Sequence, residues 1–476
     1  MRFRAPATPR ILSARRHEGT RGDIDKRRLA GSRLAFAALL FHALETTTRW
    51  LAGWLAGWLA ASLGTGTTDG IRMKITIPID VWDPRRGGLE RYLALLSASL
   101  VARGHEVTIL CARRADRDGG GGSGTDAGGS DDSSGGPNVE TLAVPAWPRW
   151  RRELAFARRS VERFRERGDD ILFAVRHALE AHVYQPHGGS YRSATRAALE
   201  GAPPPLRVAK SLLRSLRPTH RVLWWLDGEV FRRSPDVLTL SLSQVVERSL
   251  ERAFPGAALR FERIPNGIPL EEFHDRDRVE RAAELRSAFG IPSQSPVGLF
   301  LAHQFRAKGL AHAIRGLGAA GRWHLVVGGR GRPARFAALA RHLGLESRVH
   351  FAGAIADARA AYAGADAFVL PTYYDSCSLS VLEALACGTP VITTRQNGAA
   401  ELYEDGREGF VLRSPREEGA LARALRELGE HIDEFRERAR AASARFSWDA
   451  HVDQVVGALE RRRSEIGRAA STTWTT

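Results

Sequence analysis

Two carboxylate residues stand eight positions apart in segment 371–391, where a loop leads into a helix. Asp375 lies on the loop after an apolar stretch, and Glu383 lies inside the apolar run Leu379–Ala386. A carboxylate is seldom buried in an apolar run without a partner, so Glu383 is expected to face a cleft. There Asp375 could accept hydrogen bonds from sugar hydroxyls, and Glu383 from ribose hydroxyls. An acidic helix cap and a mid-helix Glu would explain either residue alone, but they leave the carboxylate in the apolar run unexplained.

Two helix starts could hold an anion, because the first N–H groups of a helix have no partner within it and carry the positive end of its dipole. One follows Gly87 and Gly88, whose lack of a side chain lets the backbone approach a ligand. The spacing fits neither a dinucleotide-binding motif nor a P-loop, and an ordinary tight turn remains the alternative. The other start offers the backbone N–H groups of Cys377, Ser378 and Leu379.

A lysine lies on a third loop, the segment His303–Gly309. Lys308 precedes the glycine at which a helix is expected to begin, and Arg306 could add a bidentate contact to a diphosphate. The chain has 70 basic residues, and all but four are arginines. A lysine at this position is therefore informative, although a solvated loop cation is the simpler interpretation of Lys308 by itself.

One histidine follows a predicted strand in the first half of the chain. His187 lies among Pro and Gly residues in the loop Tyr184–Tyr191, where no core is expected around it. It is a candidate for contact with a transferred sugar, and a structural role is the alternative.

Strands and amphipathic helices alternate from Met73 onward, which predicts parallel sheets covered by helices. Strands are predicted at 75–79, 106–111, 139–144, 171–175, 182–185 and 237–242, and then at 297–302, 324–327, 349–351, 367–370 and 391–394. The pattern predicts an α/β fold of two Rossmann-like, doubly wound domains that face each other across a cleft. Ligands of such sheets bind outside the carboxyl ends of the strands.

The predicted domains cover residues 73–265 and 266–447, followed by a helix and tail at 448–476 that could cross back onto the first domain. A Gly/Ser/Asp-rich stretch at 118–138 is expected to be a flexible insertion. Residues 1–72 are basic and contain a tryptophan repeat at helical spacing. They are expected to lie outside the fold, either as an idle extension or as an interfacial helix.

The net charge of +16 favours an anionic partner. Residues 1–72 hold 12 Lys/Arg against 5 Asp/Glu, so much of the excess lies outside the predicted domains. Three scattered cysteines suit neither a disulfide framework nor a zinc cluster and indicate a reducing compartment. No cluster of metal ligands is evident in the sequence, and no metal site is predicted.

Several motifs resemble those of the family 4 retaining glycosyltransferases. They are an acidic residue followed after seven positions by Glu383-Ala-Leu-Ala-Cys-Gly-Thr-Pro-Val, the Gly-Gly turn, Lys308-Gly309, Val327-Gly-Gly, Phe351-Ala-Gly and Asn397-Gly-Ala-Ala-Glu. The resemblance covers 73–448. Within the family it is closest to the lipopolysaccharide-core glucosyltransferases, through Gly-Gly-Leu-Glu-Arg, Ala-Arg-Gly-His-Glu-Val at 102–107 and Pro333-Ala-Arg-Phe.

The resemblance implies the GT-B architecture and the transfer of a hexose, with retention, from a nucleotide diphosphate sugar such as UDP-glucose. The acceptor would be a glycan or a lipid-linked glycan of the cell envelope. Asp375 and His187 would lie beside the donor sugar and Glu383 on the ribose. Lys308, Arg306 and the Gly-Gly turn would hold the diphosphate. The family implies a cytoplasmic enzyme, peripheral on the inner face of the membrane, without a cofactor.

Some residues depart from the family pattern. The acidic motif opens with Asp375 in place of the usual Glu, and His303 and Ala307 stand where arginines are expected. A glycan- or nucleotide-binding protein with a degenerate site is therefore the alternative function. A nucleic-acid binder is disfavoured, because no aromatic residues are interleaved on a basic face.

Overall fold

The computed structural model describes residues 72–84, 87–114 and 136–472. The predicted N-terminal extension, apart from Arg72, lies outside the described residues, as does most of the predicted insertion at 118–138.

The first sheet has seven parallel strands in the order β3-β2-β1-β4-β5-β6-β7. Its strands are β1 (Lys74–Trp82), β2 (Glu106–Arg114), β3 (Asn138–Thr141), β4 (Ile171–Ala174), β5 (Val183–Tyr184), β6 (Leu238–Ser241) and β7 (Arg260–Arg263).

The second sheet has six parallel strands in the order β10-β9-β8-β11-β12-β13. Its strands are β8 (Val297–Leu301), β9 (His324–Gly328), β10 (Val349–Gly353), β11 (Ala367–Leu370), β12 (Val391–Thr394) and β13 (Gly409–Leu412).

Helices connect the strands. In the first half they are α1 (Gly88–Ala102), α2 (Arg149–Arg167), α3 (Tyr191–Glu200), α4 (Pro204–Leu216), α5 (Pro218–Arg233) and α6 (Gln244–Ala253). In the second half they are α7 (Arg278–Phe289), α8 (Leu310–Gly318), α9 (Ala334–His342), α10 (Ala358–Gly364), α11 (Leu379–Ala386), α12 (Glu418–Glu430), α13 (Ile432–Ala442) and α14 (Trp448–Thr472). Among the described residues, no helix is both long and apolar enough to cross a membrane.

Both sheets reverse their strand order beside the first strand, between β1 and β4 and between β8 and β11. These are the switch points at which doubly wound sheets bind ligands. The prediction of two Rossmann-like domains facing across a cleft, the GT-B architecture, is confirmed. The topology brings the loops after β1, β5, β8 and β11 to the cleft, and these loops carry the predicted site residues.

Some elements were not predicted from the sequence. The edge strand β7 has exposed or half-buried residues. It therefore needs no run of apolar residues, and the sequence shows none there. The helices α3, α4 and α5 follow one another between β5 and β6, where no helix was predicted. The third strand ends at Thr141, three residues earlier than predicted. Short edge strands such as β3 and β7 bury little apolar area, so their sequence signal is weak.

The last helix lies on the core of the first sheet. Val452, Val455 and Leu459 of α14 are buried in the cluster that contains the apolar residues of β1 and α1. The indole of Trp448 donates to the hydroxyl of Ser99 at 3.0 Å. The C-terminal segment thus crosses from the second sheet to the first.

Candidate active site

A lysine–aspartate pair lies at the switch point of the second sheet. Lys308 Nζ, on the loop after β8, lies 2.5 Å from Asp375 Oδ2, on the loop after β11. The two side chains are 24% and 16% exposed, so the pair is shielded but reachable from the cleft. The structure thus brings together two residues that are 67 positions apart.

Gly309 lets these two loops meet. Its φ of 79° lies in the left-handed region that favours glycine, and a Cβ there would lie 1.9 Å from the Pro371 carbonyl oxygen. Backbone contact continues with Tyr373 N–H, which donates to the Ala307 carbonyl at 3.0 Å. A side chain at 309 would therefore push Lys308 away from Asp375.

The two helix starts face each other. A Cβ on Gly88 would lie 3.5 Å from Cδ1 of Leu379, the first residue of α11. One of the three predicted anion donors is engaged within the protein, because the Ser378 N–H donates to Asn397 Oδ1 at 3.2 Å. This corrects the expectation that all three N–H groups point into the cleft. Cys377 is buried, and burial raises the pKa of its thiol to about 12.

Glu383 is held from both sides of the cleft. Its Oε2 accepts a hydrogen bond from the Tyr362 hydroxyl at 3.0 Å, and its Oε1 lies 3.6 Å from Arg91 of α1. Burial raises the pKa of the Glu383 carboxyl, and Arg91 opposes this shift. Arg91 also pairs with Glu272 at 2.9 Å. A carboxylate with an arginine across the cleft can exchange that partner for ligand hydroxyls.

His187 is not isolated in its loop. Its ring lies 4.4 Å from the ring of Tyr92, and its Nε2 lies 3.0 Å from the amide of Gln185. Burial lowers the pKa of His187 to about 3, helped by the nearby His451. The imidazole is therefore neutral at neutral pH and is suited to hydrogen bonding rather than to a cationic role.

Direct contacts join the two domains beside Asp375. The Ser376 hydroxyl donates to the carbonyl of His187, and the Ser243 hydroxyl donates to the carbonyl of Ser376 at 2.6 Å. Glu401 accepts from the N–H of Gln244, the first residue of α6, at 2.9 Å. The structure thus places the His187 loop against the Asp375 loop.

Two family profiles match the chain, one at each sheet. The profile described as Glycosyltransferase Family 4 matches residues 86–272, and the one described as Glycosyl transferases group 1 matches residues 296–431. Together they span about two thirds of the chain. The chain belongs to glycosyltransferase family 4.

The relatives of this family 4 chain include enzymes that are named for different substrates. The lipopolysaccharide glucosyltransferase WaaG of Escherichia coli (strain K12) is 27% identical over 226 residues, 46% of this chain and 59% of WaaG. A D-inositol 3-phosphate glycosyltransferase of Catenulispora acidiphila is 32% identical over 209 residues, 40% of this chain and 48% of that enzyme. The matches thus span about half to three fifths of the length of these relatives.

Solved structures share the architecture. WaaG superposes with a TM-score of 0.64 at 21% identity, over 81% of this chain and 99% of WaaG. Anabaena HepE, solved with UDP and glucose, superposes with a TM-score of 0.59 at 20% identity, over 82% of this chain and all of HepE. At these identities the likeness shows the fold alone.

One predicted donor residue of this family 4 chain lies in a different environment. Arg306 packs along the first domain, where a Cβ on Gly201 would lie 2.6 Å from its Cγ. It lines a cavity of 310 Å³ together with Arg315, Arg335 and Arg416. The structure shows no hydrogen bond or ion pair between the side chain of Arg306 and Lys308 or Asp375, and the assignment of Arg306 to the diphosphate stays a prediction.

Sequence reasoning missed Arg91. It lies in the first turn of α1, three residues after Gly88, and so points from the Gly-Gly turn toward the second domain. Its position in the first turn of a helix that follows the Gly-Gly turn could have indicated that its side chain lies near the cleft. Among the described residues, no three His, Cys, Asp or Glu side chains lie close enough together to hold a metal ion.

Proposed function

We propose that this chain is a retaining glycosyltransferase that moves a hexose, most simply glucose, from a nucleotide diphosphate sugar to a glycan or lipid-linked acceptor. The observation that carries the proposal is the Lys308–Asp375 pair at the switch point, opposite the Gly-Gly turn. A lysine in contact with a carboxylate suits a sugar diphosphate, because the lysine can bind the diphosphate and the carboxylate can accept hydrogen bonds from the sugar hydroxyls. Family membership supports the same activity.

Lys308 would stabilise the leaving group. As the bond to the anomeric carbon breaks, negative charge develops on the diphosphate, and a fixed ammonium group lowers the free energy of that state. The starts of α1 and α11 add N–H groups at the same place. Asp375 would then accept hydrogen bonds from sugar hydroxyls. In this proposal the acceptor hydroxyl attacks the anomeric carbon from the same face of the sugar that the diphosphate leaves. The departing diphosphate accepts the proton of that hydroxyl, and no cofactor takes part.

Glu383 would bind the ribose. Its carboxylate can accept from two vicinal hydroxyls, and Arg91 remains paired with Glu272 when Glu383 turns to the ligand. UDP-glucose is the proposed donor because HepE, of the same fold, was solved with UDP and glucose. The cell-envelope acceptor is proposed from the resemblance to WaaG, a lipopolysaccharide glucosyltransferase.

The proposal is tested by incubating the purified chain with UDP- and GDP-sugars and measuring the release of UDP or GDP. We expect slow release of the nucleotide from one donor by hydrolysis, and faster release when a matching acceptor is added, because the sugar is then transferred to the acceptor. Tight binding of a nucleotide sugar without any release would instead support a binding protein with a degenerate site.

We also propose a location at the inner face of the cytoplasmic membrane, through α4. Its apolar side chains Val208, Leu212 and Leu216 recur at one helical spacing and are 68%, 63% and 70% exposed. Lys210 and Arg217 flank this stripe. Exposed apolar residues bordered by basic ones are typical of helices that lie in an anionic membrane surface.

The double substitution Val208→Ser and Leu212→Ser should weaken binding to phosphatidylglycerol vesicles at least about tenfold, because each buried apolar side chain contributes about 1.5–3 kcal/mol. The measurement is co-sedimentation with vesicles. Val279→Ser with Leu343→Ser is the matched control, since both residues are also exposed and apolar. Equal binding by the two double variants would rule out α4 as the membrane contact.

A further inference from the structure

An arginine-lined groove opens beside the proposed sugar site. It has a volume of 880 Å³ and lies between α3 and α6 of the first domain and the loops after β11, β12 and β13 of the second. Tyr373 and Tyr374, which precede Asp375, form part of its wall. The arginines of the groove are Arg192, Arg196, Arg248, Arg252, Arg395 and Arg416.

The groove has one acidic side chain in its wall, Glu200. Its carboxylate is shared among Arg207 at 3.0 Å, Arg416 at 3.7 Å and Arg196 at 4.0 Å. The described residues provide no ion-pair partner for four of the arginines. These are Arg192, Arg248, Arg252 and Arg395, of which Arg248 donates only to the carbonyl of Gln244. The groove therefore keeps a large excess of positive charge.

The arrangement of the arginines distinguishes the groove. Elsewhere on the surface some exposed arginines face a carboxylate, as Arg438 faces Glu434 at 2.9 Å and Arg461 faces Glu262 at 2.5 Å, and others have no ion-pair partner among the described residues. In the groove, six arginines from both domains converge around one carboxylate. Their mutual repulsion lowers the free energy gained by folding and is relieved when an anion binds.

We propose that the groove binds phosphate groups on the acceptor substrate. Guanidinium groups match phosphate oxygens in bidentate geometry, and the volume suits a sugar-sized group. A second cavity shares Arg192, Arg196 and Glu200 with the groove and reaches Val208 of α4. An acceptor that is held at the membrane by its lipid could thus extend along these arginines to Asp375. The acceptor role rests on the proposed function, but the phosphate site can be tested without turnover.

The probe is glucose 1,6-bisphosphate, with glucose and glucuronic acid as comparisons, titrated into protein saturated with UDP so that the donor site is filled. We expect the bisphosphate to bind at least tenfold more tightly than either comparison. Arg252→Gln with Arg395→Gln should weaken this binding at least tenfold and leave UDP affinity unchanged. Neither substitution breaks an ion pair of the described residues.

The control is Arg322→Gln with Arg423→Gln, two other exposed arginines that line none of these cavities and that give the same change in net charge. It should bind the bisphosphate within twofold of the unchanged protein. An equal loss in both double variants, or equal binding of glucose, would overturn the phosphate site. Tighter binding of glucuronic acid would indicate a carboxylate ligand and would overturn it as well. A failure to bind UDP would count against the proposed function instead.

A separate observation concerns three side chains beneath His187, those of Tyr92, Gln185 and His451. They form a chain of contacts from Pro265 to the cleft: His451 Nδ1 lies 2.7 Å from the Pro265 carbonyl, and its Nε2 lies 2.9 Å from the Tyr92 hydroxyl. Gln185 Oε1 lies 3.0 Å from the Tyr92 hydroxyl and 3.0 Å from His187 Nε2. Tyr92 and Gln185 are buried.

The first proton of this chain is fixed at His451. A carbonyl oxygen can only accept, so neutral His451 carries its proton on Nδ1, toward Pro265. Burial lowers the pKa of His451 to about 4, which keeps the ring neutral. The Nε2 of His451 therefore accepts, and Tyr92 gives it the single proton of its hydroxyl.

The Gln185 amide must then donate to Tyr92. With its proton committed to His451, the Tyr92 oxygen can only accept. The Gln185 amide must therefore be turned by 180° from the orientation in which Oε1 lies between Tyr92 and His187, so that Nε2 takes that place. That nitrogen has two protons, one for Tyr92 and one for His187 Nε2. With Oε1 between Tyr92 and His187, the amide nitrogen of Gln185 is buried without a partner. The turned amide leaves its carbonyl oxygen there instead, and a buried N–H group without a partner is the rarer and costlier arrangement.

We infer that Tyr92, Gln185 and His451 hold His187 in the tautomer that carries its proton on Nδ1. The ring then presents a fixed N–H donor, which under the proposed function would meet a hydroxyl of the donor hexose. Tyr92, Gln185 and His451 are positioning residues in this arrangement, since they act through His187.

The test is nitrogen-15 NMR of histidine in the ligand-free protein, which reports the protonated ring nitrogen. We expect His187 with a proton on Nδ1 in the unchanged chain. In Tyr92→Phe the amide loses its acceptor and can turn, so the proton should move to Nε2 and kcat should fall at least tenfold with less than a threefold change in UDP affinity. Tyr403→Phe, another buried tyrosine, should change neither. A proton on Nε2 in the unchanged chain, or an unchanged tautomer in Tyr92→Phe, would overturn the inference whatever the activity.

Discussion

Lys308→Ala is expected to lower kcat/KM for the nucleotide sugar by about 100- to 1,000-fold, the usual cost of losing one fixed donor at developing charge. The substitution also leaves the Asp375 carboxylate without its partner at 2.5 Å, so a second negative charge faces the diphosphate. The measurement is initial-rate release of UDP from UDP-glucose.

The control for this experiment is Lys74→Ala, since Lys74 is exposed at the start of β1 and should change kcat/KM less than twofold. Lys308→Ala with Asp375→Asn separates the two causes, because it removes the unpaired carboxylate while the lysine remains absent. A loss of less than about tenfold for Lys308→Ala, about 1.4 kcal/mol, would contradict a role for Lys308 at the leaving group.

Glu383→Gln is expected to weaken UDP affinity at least about tenfold, roughly 1.4 kcal/mol. The amide offers one acceptor oxygen instead of two, and it loses the charge that strengthens hydrogen bonds from ribose hydroxyls. Because burial raises the pKa of this carboxyl, the neutral and nearly isosteric Gln should be tolerated by the fold. The measurements are calorimetric titration with UDP and thermal unfolding.

Glu427→Gln serves as the control for Glu383→Gln, because Glu427 is exposed on α12 and should leave UDP affinity unchanged. If UDP binds Glu383→Gln as tightly as it binds the unchanged protein, the ribose assignment is wrong. A large loss of thermal stability without a loss of affinity would show that Glu383 serves the Arg91–Tyr362 contacts instead.

The two predictions depend on different parts of the same cleft. Lys308 and Asp375 are contributed by neighbouring loops of one sheet, whereas Glu383 is bound by Arg91 of the other domain. Loss of the first pair should therefore act on the chemical step and loss of the second on nucleotide affinity. Movement of the domains apart would break the Arg91–Glu383 contact but leave Lys308 beside Asp375.

The sequence by itself determined the alternation of most strands with helices and hence the class of fold, although it gave no sign of β7 or of α3, α4 and α5. Alternation of apolar strands with amphipathic helices permits few topologies, because parallel connections are right-handed and lie on the sheet faces. Once the sheets are doubly wound, the loops after β1, β8 and β11 must meet at the switch points. For this reason Gly88, Lys308 and Asp375 could be assigned to one cleft without coordinates.

Only the tertiary structure decided which side chains touch across the cleft. The Arg91–Glu383 pair, the Ser376 contact with His187 and the position of Arg306 against Gly201 join residues far apart in sequence. The arginines of α3, α6 and the loop after β12 are likewise far apart in sequence and are brought together only by the packing. Periodicity fixes which face of its own element a residue occupies, but the packing of one element on another fixes the residue it meets, and that packing depends on the whole core.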